Sequence, residues 1–285
     1  MKYSIIALLL GLSICSKNGQ AQGLGFLQRD VKYGSVSGED LLLDVHSPPA
    51  HGLSPIAIYV HGGGWTGGDK ANTGDAPILE MLTRAGFTWF SINYRLAPKY
   101  RWPACEVDVQ MAIRWVKANG LKYKGDTSRI VLIGYSAGGH LATYAPTVVD
   151  EGIRVQALVG FSPLTDFVQE LPMRGNILGR AQRGLLNRPE KITPESLGML
   201  KALSPINHIR PGMPPFLIVH GDADQSVPFA QTLAFQSKLR ENGVRCDVIT
   251  IPKAPHNITV WNSYMPDYSN QVIAWMKEVL RSKNK

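Results

Sequence analysis

Short runs of apolar residues recur along the chain, each set apart from the next by a helical pattern or a glycine-rich loop: Ile56–Val60, Thr88–Ile92, Ile130–Ile133, Ala157–Phe161, Phe216–Val219 and Val248–Ile251. A strand with one wet face alternates apolar and polar residues. Strands this continuously apolar are covered on both faces. The intervening helical patterns run over Ala76–Arg84, Glu106–Ala118 (Val109, Ile113 and Val116 at helical spacing), Ala137–Val149, Phe229–Asn242 and Asn270–Leu280. Strand–helix alternation of this kind demands an α/β fold with a mostly parallel sheet between two helical layers. Ahead of it, Val31–Val36 and Leu41–Val45 flank Ser37-Gly38-Glu39-Asp40 as a hairpin. Between Leu164 and Ser204 the rhythm breaks into a stretch rich in Pro, Gly and Arg, which reads as a small cap inserted over one end of the sheet. Residues 22–285 are therefore expected to form one domain with a cap insertion at about 164–204. A chain of 285 residues buries enough core to need neither disulfides nor metals.

The first residues carry a different signal. Lys2, an apolar stretch from Ile5 to Ile14 and small residues around Gly19-Gln20-Ala21 have the form of a secretory signal peptide over 1–21. The stretch is too short for a standard membrane-spanning helix, and nothing later in the sequence suggests stable membrane insertion. Removing it takes away Lys2 and Lys17 and no acid, so the formal charge falls from +8 to +6. The remaining Lys and Arg are scattered without a basic stripe interleaved with aromatics, which argues against nucleic acid as a partner. Oligomeric state is not encoded in a single sequence. Export permits a Cys105–Cys246 disulfide, but their expected placement on a helix and at a strand start favours two free thiols.

Chemistry concentrates at Gly134-Tyr135-Ser136-Ala137-Gly138-Gly139, between the strand Ile130–Ile133 and a helix. A serine at such a turn is held in a strained conformation that lifts its hydroxyl above the sheet. His61-Gly62-Gly63-Gly64-Trp65 follows another strand. Its glycines free main-chain N–H groups which, with that of Ala137, suit an oxyanion hole at Gly63, Gly64 and Ala137. A serine needs a base to take its proton. His256 follows the strand Val248–Ile251, and Asp224 lies in His220-Gly221-Asp222-Ala223-Asp224 at the end of another strand. The order Ser136, Asp224, His256 suits a nucleophile, an acid that orients the base, and the base. Asp222 is the rival acid. Val227-Pro228 and the strand-end position favour Asp224. His61 and His220 read as loop braces and His140 as structural. A metal site from His61, His220, His256 and Asp222 has no supporting spacing, so no metal or organic cofactor is expected. Trp65, Tyr135 and Trp261 are candidate substrate-binding residues, with Tyr100 and Trp102 as further aromatics near the site. Arg174, Arg180, Arg183 and Arg188 in the cap are candidates for meeting an anionic polymer, with a solvated surface the plainer reading.

Taken together, HGGGW at 61–65, Asn93-Tyr94-Arg95-Leu96-Ala97-Pro98, Asp126 before Arg129-Ile130, GYSAGGHLA at 134–142, HGDAD at 220–224 and His256 resemble the α/β-hydrolase superfamily, specifically its hormone-sensitive-lipase-like esterases and their carbohydrate-esterase relatives. The resemblance implies an eight-stranded sheet, a Ser136–Asp224–His256 triad and oxyanion donors at Gly63, Gly64 and Ala137. Lys99, where relatives often carry an acid, and Ala254-Pro255-His256-Asn257, where they are often glycine-rich, depart from the pattern and bear on substrate choice. The small cap and short start are more similar to the secreted acetyl-xylan and feruloyl esterase branch. The resemblance therefore implies an exported serine esterase acting on a small ester or an esterified polysaccharide. An amide, formamide or peptide hydrolase on the same triad, and a non-catalytic ligand-binding protein on a hydrolase scaffold, are the alternatives. The glycosylation sequon Asn257-Ile258-Thr259 beside His256 fits a host that does not glycosylate it.

Overall fold

A computed structural model describes residues 25–50 and 52–281. The signal-peptide expectation over 1–21 lies outside the described residues. The described residues form one eight-stranded sheet in the order β1-β2-β4-β3-β5-β6-β7-β8. The strands are β1 (Phe26–Val36), β2 (Glu39–Ser47), β3 (Ser54–Val60), β4 (Thr88–Ile92), β5 (Gly125–Tyr135), β6 (Ala157–Phe161), β7 (Phe216–Gly221) and β8 (Cys246–Ile251). The β1–β2 and β2–β4 pairs are antiparallel and every later pair is parallel. The helices are α1 (Ala76–Arg84), α2 (Ala104–Asn119), α3 (Ala137–Tyr144), α4 (Arg180–Leu186), α5 (Pro194–Leu203), α6 (Phe229–Glu241), α7 (Trp261–Tyr264) and α8 (Tyr268–Arg281).

The apolar strands divide by alternate residues, because successive side chains point to opposite faces. Ile56, Ile58 and Val60 of β3, Ile130 and Leu132 of β5, and Phe216 and Ile218 of β7 enter one core with α2, α3 and α6. Their neighbours Ala57, Tyr59, Val131, Ile133, Leu217 and Val219 enter a second core with α1 and α8. Each parallel strand thus supplies both layers, which is why none of them shows polar alternation. Cys105 and Cys246 are free and buried.

Two expectations need correction. The helix expected over Ala137–Val149 ends at Tyr144, followed by a 3₁₀ turn over Ala145–Thr147. Pro146 has no N–H to donate and its ring crowds the preceding turn. The segment 164–204, whose helical pattern is weak, holds two helices. Each is too short to show a clear period, at 7 and 10 residues. The start of α5 does carry a local signal: Thr193 Oγ1 accepts from the Ser196 N–H at 3.1 Å, and Ser196 Oγ accepts from the Thr193 N–H at 2.8 Å. This reciprocal cap, with Pro194 at the first helical position, stops the preceding chain and opens the helix. Leu164, Phe167, Leu171, Leu178, Leu185, Leu186, Leu200 and Leu203 bury this segment against the first core.

Candidate active site

The site sits at the C-terminal ends of β3, β5, β7 and β8. Ser136 follows β5 with φ 54° and ψ −116°, a conformation costly for any residue with a Cβ. Close packing enforces it. A Cβ on Gly134 would lie 2.1 Å from the Gly138 carbonyl oxygen, and one on Gly138 would lie 2.1 Å from the Val60 oxygen. Only glycine at both positions lets β5, α3 and the end of β3 meet. The Ser136 N–H donates to the Phe161 carbonyl of β6 at 2.9 Å, which anchors the turn to the neighbouring strand.

His256 lies between the other two residues of the proposed triad. Its Nε2 is 2.9 Å from Ser136 Oγ and its Nδ1 is 2.6 Å from Asp224 Oδ2. The Tyr135 hydroxyl donates to the His256 carbonyl at 2.9 Å, and the two rings stack at 5.3 Å. Asp224 is 7% exposed. Its Oδ1 accepts the N–H groups of Ser226 and Val227 at 2.8 and 2.9 Å, and its Oδ2 also faces His220 Nε2 at 3.1 Å. Burial pushes its carboxyl up. The hydrogen bonds from His220, His256 and Val227, with the His256 charge, outweigh that and hold it well below the usual carboxylate range. His220 Nδ1 accepts from the Thr232 hydroxyl of α6 at 2.7 Å, which leaves its Nε2–H for Asp224 and the Val227 carbonyl. Asp222, the rival acid, is exposed and accepts from the Lys253 N–H at 2.5 Å. The distances and burial select Asp224.

The glycine loop after β3 is pinned from several sides. Gly62 donates its N–H to buried Asp75 at 3.2 Å, so it has no N–H to offer at the site. Gly63 and Gly64 take φ of 114° and 60°, and the Gly63 carbonyl accepts from Thr66 and Gly67. Among the described residues, no hydrogen-bond acceptor holds the N–H of Gly63, Gly64 or Ala137. His61 Nδ1 contacts the Gly62 carbonyl at 2.7 Å and its ring stacks on Tyr94, so it braces the loop. Trp65 donates its indole N–H to His140 Nδ1 at 3.1 Å, while His140 Nε2–H donates to the Leu203 carbonyl of α5 at 2.9 Å. Burial lowers the His140 imidazole to about 4, so it is neutral and serves as a fixed donor–acceptor pin.

A cavity of about 160 Å³ opens over Ser136. Gly64, Trp65, Ala137, Leu164, Ser226 and Val227 line it. Cap residues Glu170, Arg174, Gly179, Arg180, Ala181 and Gln182 form the roof. Of the aromatic candidates, Trp65 lines this cavity. Tyr135 acts on the backbone of His256 from behind and is not among the lining residues. Trp261 is fully buried in the second core, its indole N–H donating to the Pro255 carbonyl at 2.8 Å, so it is a packing residue of the His256 loop and not a cavity residue. Trp102 packs on His140 and Tyr144, and Tyr100 beneath Arg95 and Lys99. The support that His220 and Thr232 give Asp224, and the acceptor that Asp75 gives Gly62, are long-range contacts without a motif of their own.

The family model BD-FAE matches residues 43–239. The probable carboxylic ester hydrolase LipM of Mycobacterium tuberculosis is 34% identical over 226 residues, covering 74% of this chain and 51% of that protein. The chain spans about half the length of the curated relatives it matches. A truncated carbohydrate esterase from gut microbiota superposes with a TM-score of 0.78 at 25% identity, covering 91% of this chain and 98% of that one. A thermophilic esterase from the Planctomycetes species Thermogutta terrifontis, with butyrate bound, superposes with a TM-score of 0.67 at 26% identity, covering 90% and 93%. By the extent of the family match and of these likenesses, the chain belongs to the BD-FAE family of hormone-sensitive-lipase-like α/β hydrolases.

Proposed function

We propose that the protein is a serine carboxylic-ester hydrolase. The hydrogen-bonded relay from Ser136 Oγ through His256 to Asp224, at 2.9 and 2.6 Å, carries this reading. His256 Nε2 takes the Ser136 proton as Oγ attacks the ester carbonyl. Asp224 holds the Nδ1–H tautomer and balances the imidazolium. The N–H groups of Gly63, Gly64 and Ala137 stabilise the oxyanion. The imidazolium returns its proton to the leaving alcohol, and water then releases the acyl group from Ser136 by the same base. Names among the relatives and structural neighbours, carboxylic ester hydrolase and carbohydrate esterase, support this class.

For substrate, the proposal is a short acyl ester on an exported route, with acetyl or feruloyl groups of plant polysaccharide as the natural class. A cavity of about 160 Å³ is small beside the roughly 300–1,000 Å³ of drug-sized ligand sites and supports the acetyl end of that range. The test sets the protein beside Ser136→Ala on p-nitrophenyl acetate, methyl ferulate and acetylated xylan. Cleavage by the wild type with loss in the variant is the expected result. A folded wild type that cleaves none of the three, or a variant that retains activity, overturns the proposal.

A further inference from the structure

The cap carries four arginines, and the structure separates their roles. Arg188 pairs with Glu195 away from the cavity, and Arg183 is exposed outside it. Arg174 and Arg180 are exposed too, but they line the cavity over Ser136. Arg174 Nη2 meets Glu170 Oε2 at 3.1 Å, and the other oxygen of that buried carboxylate accepts from Gln182 Nε2. Gln182 in turn accepts from the Gly179 N–H at 2.8 Å. Glu170 is therefore committed to Arg174 and Gln182. Among the described residues, Arg180 has no acidic partner. The roof of the cavity thus carries two guanidinium groups against one carboxylate.

The reaction has no use for this surplus cation. An ester is neutral, and the charge that develops on its carbonyl oxygen belongs to the backbone donors of Gly63, Gly64 and Ala137. An exposed guanidinium that lines a small, partly closed cavity, with no acidic partner among the described residues, instead favours a ligand that brings its own negative charge. A guanidinium offers two parallel donors that match a carboxylate. Resting on the ester-hydrolase reading above, we propose that Arg180 is a specificity residue that selects esters bearing a carboxylate close to the scissile bond, with the Glu170–Gln182–Arg174 cluster holding the roof beneath it. Such a carboxylate arises on the acyl side in a half-ester of a dicarboxylic acid, or on the alcohol side in an ester of an acidic sugar.

Two matched pairs of substrates separate these sources: phenyl hydrogen succinate against phenyl butyrate, and 4-carboxyphenyl acetate against phenyl acetate. The readout is the charged-to-neutral ratio of kcat/KM within each pair, for wild type, Arg180→Gln, Arg180→Glu and Arg183→Ala. In at least one pair, the wild-type ratio should fall about tenfold in Arg180→Gln, the size of a lost hydrogen bond to a charged group. It should fall further in Arg180→Glu and stay at the wild-type value in Arg183→Ala, which removes the same charge from the same helix outside the cavity. Added salt should lower the wild-type ratio and leave that of Arg180→Gln nearly flat. Ratios insensitive to Arg180 in both pairs, with the neutral esters still cleaved, overturn this inference and leave the esterase reading standing. A folded wild type that cleaves none of the four esters overturns both.

Discussion

The edge of the sheet that carries Ser136, Asp224 and His256 and the cap that covers it are built by different means. At the sheet edge the turn around Ser136 is set backbone against backbone, while Asp224 and His256 are held by the side chains of His220, Thr232 and Tyr135. Gly134, Gly138 and the end of β3 approach so closely that a single added methyl group collides with a carbonyl oxygen. In the cap, order comes from side chains: the Glu170–Arg174–Gln182 cluster, the Thr193–Ser196 cap and leucines laid on the first core. Backbone contacts leave no room for variation, whereas side-chain contacts can be exchanged one at a time. The comparison teaches that the turn holding Ser136 tolerates little change, whereas the cap tolerates more.

That division can be attacked first where the expected effect is largest. Asp224→Asn keeps the volume but presents the wrong hydrogen-bonding partner to His256 Nδ1, and should lower kcat by about 10⁴-fold. Asp222→Asn, two residues away and exposed, should leave kcat nearly unchanged. Equal losses in steady-state assays of the two would break the assignment of Asp224.

Next come two glycines of the two regions. Gly138→Ala should cost about 10²-fold in kcat/KM or more, because relieving the collision with Val60 moves the nucleophile turn, and displacements near 1 Å carry that penalty. In α5 of the cap, a Cβ on Gly198 meets nothing within 4 Å. Gly198→Ala should therefore raise stability by about 0.5–1 kcal/mol in denaturant unfolding while activity is retained. A harmless Gly138→Ala would contradict the account of the sheet edge.

A finer probe is His140, the seam between the regions, since it holds Trp65 of the glycine loop and Leu203 of the cap. Burial lowers its imidazole from 6.5 to about 4, so on acidification the unfolded chain takes up this proton before the folded one does. Its contribution to stability is complete above about pH 6.5. It is lost as the pH falls toward about 4, by roughly 3 kcal/mol over the window. Buried Glu106 acts in the opposite sense. Burial pushes its carboxyl up to about 8, so its protonated form favours the folded state as pH falls from 8 toward 4.5. The His140 effect should therefore be read as the difference in unfolding free energy between wild type and His140→Gln. That difference should shrink between pH 6.5 and 4, and a difference independent of pH would contradict it.

What the sequence makes legible follows the same line. The succession of strands and helices after the hairpin, the turn at Ser136, and the meeting of that residue with Asp224 and His256 are readable because backbone geometry dictates residue types at short spacings: glycines beside the serine, and acid and histidine just past apolar strands. The order of the strands in the sheet is not readable in this way. Trp261 is misplaced by sequence reasoning, because its nearness to His256 along the chain says nothing of which face of the sheet it enters. Tyr135 stands beside Ser136, yet its hydroxyl serves the backbone of His256, 121 residues away. The clamp of Thr232 and His220 on Asp224, and the pin that His140 sets between Trp65 and Leu203, join side chains whose partners are fixed by packing and leave no periodic trace. The helices α4 and α5 were hidden for a simpler reason: neither is long enough to show its period.

The central claim is that Ser136 is the nucleophile, and covalent labelling tests it most directly. The protein should be treated with a stoichiometric organophosphate ester such as paraoxon, with residual esterase activity and intact mass followed together and the modified peptide then mapped. The account predicts a single diethylphosphoryl adduct on Ser136, formed in step with the loss of activity and absent from Ser136→Ala. An adduct on another residue in step with inactivation, or full ester hydrolysis with Ser136 left unmodified, would contradict it.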